Sequence, residues 1–302
     1  MTFTQIKTFY LVATMGTFQK AAEKLNTSQP TVSARIVALE NWFGTNLFDR
    51  STHRAQLTAQ GRAFLDIARR MLELEATARS SVGQGGDLQG VIRIGLADTL
   101  ALSWVPRFML TLHEQYSDVT FEFQVGGSPG LRDELVNQSL DICFMVGPVA
   151  EPNVVCRRLC ETPVALTAAP HLALHGRKLS IEEIARHRIL TFQRRSQTYQ
   201  SLIRDFDAAE INARISGVSS LSFAIALALE GYGILAAPTI AIEREIAEGK
   251  LVLLDSDLVP DAPQFAACWV SGPSAAASQT IAAHAQDYLR GISSPDIINL
   301  FD

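Results

Sequence analysis

Residues 21–40 read AAEKLNTSQPTVSARIVALE. Two runs of good helix formers flank a polar break at Asn26, Thr27 and Ser28, and Pro30 follows just beyond it. Thr27 or Ser28 can cap the second helix, because a side-chain oxygen there accepts an orphan backbone N–H. Pro30 then falls in the first turn, where its missing N–H is harmless. Val32, Ile36 and Leu39 recur at helical spacing, with Ser33, Arg35 and Glu40 off that stripe. The stretch is therefore two short helices meeting at a tight corner, the second of which keeps hydroxyl, amide and guanidinium groups.

On the N-terminal side, Ile6, Phe9, Tyr10, Leu11 and Val12 predict one more helix, and Phe18, Ala21, Ala22 and Leu25 make the first arm of the corner amphipathic. On the other side, GTNLFDRSTHRAQLT (44–58) has two short apolar runs around a basic turn and reads as a β-hairpin wing. A helix, a tight corner, a polar-faced helix and a basic hairpin make the winged form of the helix-turn-helix. Its second helix enters the major groove while the wing lies along phosphates. Thr58 opens a longer helix whose Phe64, Leu65, Ala68, Met71, Leu72, Glu75 and Ala78 follow a roughly 3-4 alternation that makes a continuous stripe. Phe64, Leu65, Ala68, Met71 and Leu72 are its candidate seam residues. That helix runs into the Gly-rich SSVGQGGDLQG (80–90), so the stripe is assigned to helix–helix dimerisation.

Charge supports this division. The 302-residue chain carries a net −5, yet residues 1–62 sum to +4 and the remainder to −9. A small basic, polyanion-binding module on an acidic body fits that asymmetry. Apolar residues make up 47% and charged residues 19%, an ordinary globular mixture. No segment has the form of a signal peptide, and no window approaches the ~20 uncharged apolar residues of a membrane span. A cytoplasmic protein without membrane contact is expected. Cys143, Cys156, Cys160 and Cys268 form no C-x-x-C pair and the six histidines are scattered, so no metal site is expected.

Beyond residue 90 strands alternate with helices. VIRIGLA, VTFEFQVG and DICFMVG are strands separated by SWVPRFMLTLHEQY and LRDELVNQSL, a βαβαβ order implying a parallel sheet. A second set follows in VALTAA, IEEIARH, RILTFQ, SLIRDFDAAE, ARISGV, SFAIALALEGYG and ILAAP, and the tail supplies the strand FAACWV and one more helix. Two such sets suggest two lobes with a cleft between them.

The residues FYLVATMGTFQKAAEKLNTSQPTVSARIVALENWFGTNLFDRSTHRAQLTAQG resemble the N-terminal domain of the LysR-type transcriptional regulators. The paired alanines before a leucine, SQPTVS, ALE, LFDR and LTAQG carry the likeness, which then extends along essentially the whole chain. It implies a winged helix-turn-helix domain over 1–58, a linker helix over 59–82 and a hinge over 83–90. A two-lobed α/β effector domain like periplasmic solute-binding proteins would follow, with lobe I from 91–161 and 268–302 and lobe II from 162–267. By the same resemblance Gln29, Pro30, Thr31 and Ser33 lie at the groove-facing start of the recognition helix, after Thr27 and Ser28 at the corner. Arg35 follows, and Arg50, His53 and Arg54 belong to the wing. Gln29 can pair bidentately with adenine, Thr31 can touch a thymine methyl, and Arg35 can reach guanine or phosphate. Ala34 stands where many relatives carry a longer polar or basic side chain, which leaves the target sequence open.

The resemblance further implies an operator with an interrupted inverted repeat, bound by a homodimer or homotetramer, with RNA polymerase as a candidate partner. A small-molecule co-inducer, here expected to bear a carboxylate, would bind between the lobes. Candidate contacts stand at five strand ends: Asp98, Thr99 and Leu100; Ser128; Gly147 and Pro148; Gln193 and Ser196; Ser219 and Ser220. Taken singly each is better read as a plain helix cap, but together they point to a pocket. Asp98 is the odd member, an acid beside an anion seat, while Arg194 and Arg195 add positive charge opposite. No triad, metal cluster or paired-carboxylate constellation stands out, so catalysis is not expected. The alternatives are a thiol redox-sensing regulator of the same architecture and, further off, a solute-binding receptor.

Overall fold

The computed structural model describes residues 1–49, 55–82, 88, 90–272, 275–292 and 299–301. The N-terminal unit comprises α1 (Phe3–Met15), α2 (Phe18–Lys24), α3 (Gln29–Phe43), β1 (Phe48–Asp49), β2 (Gln56–Leu57) and α4 (Ala59–Val82). The corner between α2 and α3 turns on Asn26, which adopts a left-handed φ of 47°, and the Thr27 N–H reaches back to the Ala22 carbonyl at 2.9 Å. Asparagine is among the few residues that enter this conformation readily. At the start of α4, Thr58 Oγ1 accepts from the Gly61 N–H at 3.0 Å and its hydroxyl donates to the Asn46 carbonyl at 2.8 Å. A Cβ at Gly61 would stand 2.1 Å from the Leu47 oxygen, so the helix sits this close to the wing base only because the residue is glycine.

The apolar stripe of α4 has a different role from the expected one. Phe64, Ala68 and Leu72 are buried, and Leu65 and Met71 partly so, in the same cluster as Ile6, Phe9, Val12, Val32 and Leu39. The Phe64 ring lies 4.9 Å from Phe9 and 4.6 Å from Phe43. Assigning Phe64, Ala68 and Leu72 to dimerisation is therefore corrected: a side chain already covered by α1 and α3 cannot also form a dimer seam. Leu65 and Met71 keep only part of their surface for one. The opposite face carries a second stripe, of which the sequence reading names only Ala78, as a member of the first. Ile67 is 54% and Leu74 69% exposed, with Ala63 and Ala78 also exposed on that face.

Lobe I begins with β3 (Val91–Ala97), α5 (Asp98–Ala101), α6 (Val105–Gln115), β4 (Thr120–Gly126), α7 (Ser128–Val136), β5 (Ile142–Val146) and β6 (Val154–Glu161). Lobe II contains β7 (Val164–Ala168), β8 (Lys178–Leu179), α8 (Ile181–Ala185), β9 (Arg188–Phe192), α9 (Gln197–Ala208), β10 (Arg214–Val218), α10 (Leu221–Leu229), β11 (Ile234–Pro238), α11 (Glu243–Ala247), β12 (Val252–Leu253) and β13 (Asp255–Ser256). The chain then returns through β14 (Gln264–Val270), α12 (Ala275–Ile292) and β15 (Asn299–Leu300). The lobe I sheet runs β15-β6-β14-β5-β3-β4 and the lobe II sheet β10-β9-β11-β7-β12.

The β3, β4 and β5 strands are parallel, as the βαβαβ pattern predicts, but the sheets are mixed. The returning β14 pairs antiparallel with both β5 and β6, and β7 pairs antiparallel with β11 and β12. The chain crosses between lobes twice, and a strand that comes back from the far lobe enters the sheet from the opposite direction. β6 is not legible in the sequence because Arg157 and Arg158 interrupt its apolar alternation.

The N-terminal unit touches lobe I directly. Lys24 Nζ donates to Asp141 Oδ1 at 2.5 Å, and Asp141 Oδ2 accepts from the Arg93 N–H at 2.8 Å. Among the described residues no helix is long and apolar enough to cross a membrane.

Candidate functional site

Two surfaces carry the candidate residues. The first is the exposed start of α3. Ser28 caps the helix, accepting from the Thr31 N–H at 3.4 Å, and the two hydroxyls share a 2.8 Å hydrogen bond. Ser28, Gln29 and Pro30 are exposed, while Thr27, Thr31, Ser33 and Arg35 are half-buried. Val32, Ile36 and Leu39 point inward, as their spacing requires. Gln29 is thus free to present its amide outward, while the Ser28 and Thr31 hydroxyls are engaged with each other. Arg50, His53 and Arg54 lie outside the described residues.

Glu40 stands off the apolar stripe by its spacing, yet it is buried. Its Oε1 accepts from the Leu47 and Phe48 N–H groups at 2.8 and 3.1 Å. The carboxylate thereby fixes the strand that leads into the wing against the end of α3. The signal in the sequence is an acid at the close of a recognition helix followed by LF, which only a structure converts into a contact.

The second surface is the cleft. In lobe I the strand order reverses at β3, which has β5 on one side and β4 on the other, and in lobe II it reverses at β9, between β10 and β11. Loops leaving the carboxyl ends of such strands diverge and open a crevice. Both crevices face one cavity of about 430 Å³ between the lobes.

Seven of the ten expected residues line it: Asp98, Thr99, Ser128, Pro148, Gln193, Ser196 and Ser219. Three do not. Leu100 is fully buried in the lobe I core, because one residue further along α5 the helix turns inward. The Gly147 N–H is engaged with the Gln264 carbonyl at 3.0 Å, and Ser220 spends its hydroxyl capping α10 through the Phe223 N–H at 3.4 Å. Of the arginines, Arg195 lines the cavity and Arg194 does not.

The geometry explains Asp98. Its Oδ1 accepts from the Leu221 N–H at 3.4 Å, so this lobe I carboxylate sits at the N-terminus of α10 in lobe II. It ties the lobes together, and the helix dipole there favours its charge. Ser128 Oγ accepts from the Val146 N–H at 3.0 Å, which leaves its hydroxyl proton free to donate. Thr99 is only 2% exposed, and its hydroxyl has no hydrogen-bond partner among the described residues.

Arg132 is a lining residue that the sequence reading does not include. It lies one helical turn after Ser128 on the same face of α7, a spacing that could have flagged it. Its guanidinium is held by Asp133 at 2.9 Å and Glu151 at 3.8 Å. Phe192, Val218, Pro238, Pro263 and Phe265 give the cavity an apolar floor. Two hydroxyl donors on the cavity wall and two flanking guanidiniums above apolar walls can hold a small anion with a hydrophobic body.

The family model described as the bacterial regulatory helix-turn-helix protein, lysR family, matches residues 3–62, and that of the LysR substrate binding domain matches residues 85–290. The chain is 28% identical over 261 residues to the HTH-type transcriptional regulator CrgA of Neisseria meningitidis, covering 85% of this chain and 86% of that one. A full-length variant of OxyR from Pseudomonas aeruginosa superposes with a TM-score of 0.66 at 20% identity, over 99% of this chain and 98% of that one. The fold of CbnR in complex with its target DNA also matches, with a TM-score of 0.51 at 20% identity, over 94% of this chain and all of that one. With both of its parts matched in order, and more than half its length within the substrate binding domain alone, the chain belongs to the LysR family of transcriptional regulators.

Proposed function

We propose that this regulator binds a duplex operator as a homodimer and that a small carboxylate held between its lobes governs the engagement. It works on DNA in the cytoplasm and carries no catalytic step. The observation that supports the ligand reading best is Thr99, a residue only 2% exposed whose hydroxyl, without a partner among the described residues, stands on the wall of a 430 Å³ cavity. The hydroxyl opens onto the cavity and is free to donate, and a carboxylate oxygen there would accept from it. Ser128 and the cations of Arg132 and Arg195 complete the seat.

A route from the cleft to the DNA-binding unit runs along β5. Its last residue, Val146, is braced by Ser128 at the cavity, and Asp141, just before its first residue, holds Lys24 of α2. A ligand that draws the lobes together would act through this strand, and also through the Asp98 tie to α10. It can shift the equilibrium only by its differential affinity for the two lobe arrangements.

The test is a panel of small carboxylates screened for a rise in melting temperature, since a ligand of the native state stabilises it by mass action. Thr99→Val keeps the shape and deletes the hydroxyl. Losing a hydrogen bond to a charged ligand costs about 1.5–3 kcal/mol, so the variant should bind the active carboxylate at least about tenfold more weakly. Unaltered affinity in both Thr99→Val and Ser128→Ala would move the site elsewhere.

A further inference from the structure

We propose that Cys156 and Cys268 form a reversible dithiol–disulfide site in lobe I, oxidised by hydroperoxides and reduced again by small thiols. The two residues face each other across the antiparallel pair β6–β14, with their sulfurs joined and their Cα atoms 4.2 Å apart. That spacing marks the narrow, non-hydrogen-bonded type of cross-strand pair, in which side chains stand closest. Neither strand has to move for the bond to form or open.

The other two cysteines show what sets this pair apart. Cys143 lies opposite Cys268 on its other side, across β5. A residue in the narrow arrangement with one antiparallel neighbour is in the wide arrangement with the other, so Cys143 is the poorer partner. Its thiol donates to the Leu131 carbonyl at 3.6 Å, and burial pushes its pKa up to about 12. Cys160 is fully buried, and burial likewise raises its pKa to about 12. Both are inert thiols. Cys156 is only partly buried and gives a small oxidant access to the pair.

The chemistry balances without a cofactor. The Cys156 thiolate attacks the O–O bond of the hydroperoxide, taking one oxygen as a sulfenic acid, and the other oxygen leaves as an alcohol or as water. The Cys268 sulfur then displaces hydroxide from that sulfenic sulfur, and the hydroxide takes up the thiol proton as a second product water. Two thiols lose two electrons and two protons, and the peroxide bond gains them. Thiol–disulfide exchange reverses the step.

The site lies behind the cleft. Cys156 and Cys268 share an apolar cluster with Leu131 and Leu135 on the back of α7 and with Val149, and a Cβ on Gly147 would lie 3.6 Å from Cys268 Sγ. Reduction replaces one bond by two thiols that each need room, in packing that transmits small changes.

The experiment uses the full-length protein, reduced, freed of reductant and exposed to stoichiometric hydrogen peroxide, then alkylated under denaturing conditions and mapped by peptide mass spectrometry. The expected result is a Cys156–Cys268 linked peptide that a dithiol abolishes, with Cys143 and Cys160 still fully alkylated. In Cys268→Ser, a sulfenic acid should be trapped at Cys156 by dimedone. Four alkylatable thiols after peroxide, a link through Cys143, or sulfinic acid at Cys156 beside a free Cys268 would each overturn the proposal. None of these outcomes depends on whether a carboxylate binds the cleft.

Discussion

The doubly substituted chain Ile67→Glu, Leu74→Glu is expected to be a folded monomer that has lost operator binding. Both side chains project from the outer face of α4, where nothing among the described residues covers them, and they lie seven residues apart in line with Ala63 and Ala78. A seam at that spacing is what two packed helices need. Burying such a side chain fully contributes about 1.5–3 kcal/mol, and a dimer would bury both from each protomer. Four glutamates in the seam would replace that gain by charge repulsion and desolvation. A dimer engages two half-sites, the second effectively intramolecular, which typically raises avidity by about 10²–10⁴ over one module. Operator affinity should fall by that order, with the oligomer gone by light scattering and the circular dichroism unchanged. An intact oligomer at micromolar concentration would place the seam elsewhere.

Phe64→Ala is expected to act in the opposite way, through stability. Phe64 is packed between Phe9 and Phe43 in the core of the N-terminal unit. Truncating such a ring leaves a cavity and costs about 3–5 kcal/mol, a large share of what a small unit possesses. Residues 1–82 of the variant should show a much lower denaturation midpoint than the wild-type fragment. The same measurement on Ile67→Ala, made at a concentration where both fragments are monomeric, should show little change, since in the monomer that side chain is already in water. Equal destabilisation by the two substitutions would contradict the assignment of the two faces.

The pair of predictions also shows where the sequence was legible. The corner at Asn26, the Ser28 cap, the inward Val32, Ile36 and Leu39, and the strands that alternate with helices beyond residue 90 are local patterns, set by residues a few positions apart. On α4 two apolar stripes interleave, and periodicity alone cannot say which of them the chain's own helices cover. Seven cleft residues were recognisable because strand ends and helix starts leave a local mark. Arg132 lacked such a mark on its own. The Asp98 bond to Leu221 spans 123 positions and the Cys156–Cys268 pair 112, contacts that exist only once the chain has crossed between lobes and returned.

The most direct test of the account is a fluorescence-anisotropy titration of the protein on a duplex it has itself selected from a random pool. It is run at several salt concentrations, with and without the carboxylate that raises its melting temperature. Affinity should fall steeply with salt, as expected when basic groups displace counterions from phosphates. The carboxylate should change the affinity or the length of DNA protected for the wild type, and leave Thr99→Val unaffected at the same concentration. A carboxylate that occupies the cleft, with loss of binding in Thr99→Val, yet leaves both affinity and footprint on DNA unchanged would contradict the account.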